Sequence, residues 1–96
     1  MKYPIHNRFT GAVQFEADID CAEDTLNSVK IGLAVKWAFI SKAYLGGADL
    51  GGANLGGAYL GGADLGGANL MGANRGGADL GGADLGGANL GGANLG

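Results

Sequence analysis

Residues 43–96 repeat one five-residue phrase, AYLGG ADLGG ANLGG AYLGG ADLGG ANLMG ANRGG ADLGG ADLGG ANLGG ANLG. Ten units are complete and the eleventh is clipped. A period of five excludes both regular structures. On an α-helix, a leucine every fifth residue steps by about 140° and forms no stripe. On a flat strand, side chains alternate faces, so an odd period sends Leu45 and Leu50 to opposite sides. What remains is a short extended segment followed by a corner in every unit. Ala43 and Leu45 share the inner side and Tyr44 the outer, and the Gly46-Gly47 corner resets the direction so that Ala48 and Leu50 again point inward. Glycine suits the corner because it adopts positive φ without a Cβ clash.

The phrase A-(D/N)-L-x-x resembles the pentapeptide-repeat family, over just more than half the chain, and ten of eleven units keep Ala followed two residues later by Leu. The resemblance implies a mainly β fold, a right-handed quadrilateral β-helix with four units per coil. The repeats make about 2.7 coils at twenty residues each. Residues twenty apart then stack at the roughly 4.8 Å spacing of neighbouring strands. Leu45, Leu65 and Leu85 form one inner column, and Leu50, Leu70 and Leu90 another. Outside, Asn54, Asn74 and Asn94 are expected to form an asparagine ladder, Tyr44, Asp64 and Asp84 a second column, and Asp79 to lie over Tyr59. Arg75 takes a leucine position between Leu55 and Leu95. A charge inside an apolar core is costly, so its stem should follow the core while its head leaves through a distorted corner. A tolerated lesion and a binding arginine both stay open. Met71 replaces a corner glycine and is expected at the surface.

Residues 1–42 are read as an N-terminal strand and a capping helix, forming one structural domain with the solenoid of 43–96. Val13, Phe15, Ala17 and Ile19 alternate with polar residues, the pattern of a strand with one buried face. Tyr3, Ile5 and Phe9 suggest a further edge strand. An acidic turn, Asp20 to Asp24, leads to a helix over about 28–42, for which Asp24, Thr25, Asn27 or Ser28 can cap the start. Val29, Leu33, Trp37, Ile40 and Tyr44 fall at helical spacing, with Lys30, Lys36 and Lys42 as the solvated part. Open strand ends invite association, so the helix is read as a cap on the first coil, with Trp37 as its plug and Leu33 and Ile40 beside it. This leader resembles those of some prophage-encoded members of the family. The last coil has no matching cap, which leaves two expectations open: a homodimer through that C-terminal coil, or further residues supplied by the natural context.

Five positive and five negative side chains cancel in residues 1–42, and the repeats supply the net charge of −3. There is no basic patch, so direct nucleic-acid binding is not expected. Cys21 is single, which excludes an intrachain disulfide. The most apolar run, Ile31–Ile40, is too short to span a bilayer, and a cytoplasmic location is expected. His6 is the only histidine, GxGxxG and GxxxxGK[ST] are absent, and the acidic turn lacks an ordered calcium-loop pattern. Neither an enzyme nor a cofactor or metal site is therefore expected. The reading is a structural or protein-interaction module with an unknown protein partner, presenting Tyr44, Asp49, Tyr59, Asp64, Asp79 and Asp84. The alternative, again by resemblance, is a DNA-mimicking inhibitor of gyrase, a type II topoisomerase. A rod of roughly 13 Å matches duplex carrying about eight phosphates, against four Asp in the repeats.

Overall fold

The computed structural model describes residues 1–94. Two strands, β1 (Lys2–His6) and β2 (Val13–Asp18), pair antiparallel, and a helix, α1 (Asn27–Ser41), follows. The hairpin register slips between Ile5 and His6. Ala17 and Ile19 are buried as their alternation requires, while Val13, beside the slip, is exposed, and so is Phe9 in the connecting turn.

The repeats form no continuous strand among the described residues, which departs from a mainly β expectation. Among the described residues each unit from Ala48 onward instead contributes one residue bridged to another layer. The bridges between repeats are parallel and join positions twenty apart: Asp49 to Asn69 to Asn89, Asn54 to Asn74 to Asn94, Tyr59 to Asp79, and Asp64 to Asp84, while Ala48 bridges antiparallel to Asn7. Two backbone bonds lock each register, as where Leu60 N–H donates to the Asp79 carbonyl and Asp79 N–H to that of Ala58, both at 2.8 Å. With a corner every fifth residue, a twenty-residue return gives four corners per layer. Residues 43–62, 63–82 and 83–94 make three successive layers. The second corner glycine takes φ between 67° and 76° from Gly47 to Gly92, a range that disfavours any side chain. The first corner glycine does not, which is why Met71 fits there with its side chain exposed.

Alanines and leucines fill the inside. Leu50, Leu55, Leu60 and Leu65 are fully buried, whereas Leu80, Leu85 and Leu90 are half-buried. The reason is stacking: Leu80 covers Leu60 and Leu85 covers Leu65, but no described residue lies over Leu80, Leu85 or Leu90. Arg75 is half-buried with its Nε enclosed. Its corner is not distorted: Ala78 N–H donates to the Arg75 carbonyl at 2.8 Å and Gly77 has φ 71°, as in its neighbours. The expected stacking of Leu95 on Arg75 and the expected C-terminal pairing at Leu95 and Gly96 lie outside the described residues.

Asn54, Asn74 and Asn94 stack in the expected column, and the outer Asn and Asp side chains also close their own corners. Asn54 and Asn74 turn their Oδ1 atoms to the N–H groups of Gly56 and Gly76, two residues on, at 3.0 Å. Asp49, Asp64, Asn69, Asp79, Asp84 and Asn89 make the same bond to their own corners. This Asx turn explains the D/N of the repeat: a short side-chain acceptor holds each corner closed.

The helix rests on the first layer through its small residues. Gly32, Ala34, Val35 and Ala38 are buried, and a Cβ at Gly32 would strike the Asn54 carbonyl oxygen. Close approach of the two backbones therefore selects glycine and alanine, not the large side chains. Trp37 goes to the flank and stacks on Phe15 of β2, with centroids 5.9 Å apart. Ile40 is 80 % exposed. Lys30, expected in solvent, is buried and donates to the Glu23 carbonyl at 2.6 Å, closing the acidic turn. None of the polar residues expected to cap α1 does so: Leu26 holds the N-cap position without a side-chain bond, and its carbonyl accepts from Val29 and Lys30. At the other end Lys42 adopts the left-handed conformation that terminates the helix.

Candidate interaction surface

Tyr44 and Tyr59 break the Asx rule, because a phenol cannot reach back to the corner N–H as a short carboxylate does. Each ring instead folds over its own corner, so that a Cβ at Gly46 or Gly61 would meet the hydroxyl of Tyr44 or Tyr59. Both rings stay largely solvent-accessible, at 66 % and 65 %. They stand on the side of the molecule where α1 ends. Phe39 meets the Tyr59 ring edge to face, with centroids 5.9 Å apart. Two cavities of about 540 and 360 Å³ lie there and meet at Phe39 and Ile40. Tyr44, Lys42 and Asp64 line the larger, and Tyr59 and Lys36 the smaller. Aromatic rings beside unfilled apolar space, flanked by charge, have the composition of an interaction surface.

The remaining acidic positions are arranged differently. Asp79 lies one layer from Tyr59, and Asp84 one layer from Asp64, while Asp49 accepts from the Asn69 amide at 3.1 Å. Asp64 and Asp84 are bridged neighbours and both are exposed. Tyr44, expected over Asp64, forms no bridge with it among the described residues, and both line the larger cavity. Arg75 stands on the inner side of the layers, away from this surface, and Trp37 and Leu33 belong to the half-buried flank of α1.

Side chains for chemistry do not converge. The His6 ring lies 3.0 Å from the Gly11 carbonyl through Nδ1, Cys21 is half-buried beside Met1, and no group of three or more His, Cys, Asp or Glu is placed to hold a metal among the described residues. No described helix is long and apolar enough to cross a membrane. Two signals for this surface stand in the sequence: the two units with Tyr in place of Asp or Asn, and the small residues Gly32, Ala34 and Ala38 that mark the contact face of α1.

Searches of curated proteins and of solved structures give no match. A family model of pentapeptide repeats matches residues 40–74 and 76–95, with eight copies, and its break falls at Arg75, the unit without leucine. With more than half its length matched, a twenty-residue return and an Ala and Leu interior, the chain belongs to the pentapeptide-repeat family.

Proposed function

We propose that the chain is a non-catalytic protein-interaction module built on a right-handed quadrilateral β-helix, with residues 1–42 covering the start of its first layer. The four corners per layer and the twenty-residue bridges support the architecture. One observation carries the functional reading: the two units that abandon the corner-closing Asp or Asn do so for exposed tyrosines, next to apolar space that the chain itself leaves unfilled. A scaffold selected only for its own stability would keep the Asx turn in every unit. The module works in the cytoplasm in this reading, where its single thiol stays reduced.

Topoisomerase inhibition by charge mimicry has less support. The four repeat carboxylates each accept a bond from their own corner, so their placement is already explained by the shape of the coil. Gyrase supercoiling is expected to continue unchanged at micromolar protein.

The test is affinity capture from a lysate of the native host, with the chain and with a variant carrying Tyr44→Ser and Tyr59→Ser. A protein enriched on the first and lost on the second supports the module. Equal recovery on both, or no enrichment on either, overturns it.

A further inference from the structure

The cover formed by residues 1–42 reaches only part of the first layer. Asp49 N–H donates to the His6 carbonyl at 2.7 Å and Asn54 N–H to the Ser28 carbonyl at 2.9 Å. The hairpin thus completes one side of the layer and the start of α1 the next. On the following two sides the pattern stops. In the layer above, Asp79 and Asp84 donate to the Ala58 and Ala63 carbonyls. The equivalent donors below, the N–H groups of Tyr59 and Asp64, have no hydrogen-bond partner among the described residues. Twenty residues before them stand Phe39 and Tyr44, the end of α1 and its exit. A helix rises about 1.5 Å per residue, less than half the rise of a strand, so the end of α1 does not keep pace with that ladder. The edge from 59 to 64 is left open, and the two cavities lie along it.

We infer that this edge is an acceptor for an extended peptide segment of a partner protein, which adds a strand beneath Tyr59 and Asp64 and packs against the last turns of α1. The inference deepens the interaction reading above and rests on it. Backbone pairing is the recognition mode that an unpaired sheet edge offers, and pockets for alternate side chains supply its selectivity. The larger cavity is lined by Ala38, Leu45 and Ala63 and takes an apolar side chain. Lys36 and Lys42 stand on the α1 wall of the groove, so the segment carries acidic side chains toward the helix. Asp64 marks the opposite wall, and the acidic side chains are excluded from there.

The probe is a capped, fluorescent pentapeptide reading glutamate, valine, leucine, valine, glutamate. Three companions isolate the contributions: the same peptide N-methylated at alternate amides in either of the two frames, and one with lysine for glutamate. The full chain is expected to bind the parent, with N-methylation in one frame and lysine replacement each weakening it at least about tenfold. A variant with Lys36→Glu and Lys42→Glu is expected to reverse the preference and take the lysine peptide. In the free chain the Tyr59 and Asp64 amides should exchange hydrogen faster than those of Asp79 and Asp84, and saturating peptide should slow them at least about tenfold. Equal protection of all four amides in the free chain, no binding at millimolar peptide, or methylated peptides in both frames bound as well as the parent would overturn the inference. If host-lysate capture still enriches a partner in those cases, the interaction module stands and only the groove is lost.

Discussion

The leucines of the first and third layers have the same neighbours in sequence and different fates in the fold. Leu50, between Asp49 and Gly51, is fully buried, as is Leu60, while Leu85, between Asp84 and Gly86, is half-buried. Local sequence cannot make that difference. It comes from what lies above: Leu60 is covered by Leu80, whereas no described residue covers Leu85. In a stacked repeat each layer borrows half of its burial from its neighbours, so stability is a property of pairs of layers.

The largest test of that contrast is a matched pair of truncations. Leu60→Ala should cost about 3–4 kcal/mol, since it opens a cavity in an enclosed layer, and Leu85→Ala only about 1 kcal/mol. Urea unfolding of both variants decides it, and equal losses would break the comparison. Next in size is Gly32→Ala. The added methyl meets the Asn54 carbonyl oxygen, so α1 must lift from the first layer at a cost of about 2 kcal/mol. A smaller effect sharpens the corner rule. Gly52→Ala has free space around it but φ of 75°, and should cost about 1 kcal/mol. Gly51→Ala meets only ordinary contacts at 3.5 Å and has no positive φ, so thermal melting should find it neutral or stabilised by about 0.5 kcal/mol. Smallest is Asn54→Ala, which removes one corner bond and should lower stability by about 0.5–1 kcal/mol. Asn54→Asp, which keeps the acceptor, should recover most of that loss.

The repeat was legible because its period excludes every other way to bury leucine. Inner and outer positions, the corner glycines and the surface place of Met71 all follow from that exclusion. The outer residues were legible only in part. A stack of asparagines suggests bonds along the column, and Asn69 makes one to Asp49, but a side-chain oxygen of that length also reaches the N–H two residues ahead, which the sequence did not show. The leader was harder. Large apolar residues at helical spacing look like a contact face, yet a helix lying on backbone needs small ones, and that requirement belongs to the tertiary arrangement. For the same reason Ile40 could not be recognised as exposed, nor Lys30 as buried, from α1 alone. The open edge at Tyr59 and Asp64 was out of reach, because it depends on where α1 ends relative to a layer formed later in the chain.

The claim beneath all of this is that residues twenty apart lie one above another. Proton–proton NOEs on the labelled chain test it most directly, between the backbones of Tyr59 and Asp79 and of Asp64 and Asp84. Contacts within about 5 Å for both pairs, with none between Asn54 and Asp64, are the expected result. Contacts at any other spacing, or only between sequence neighbours, would contradict it.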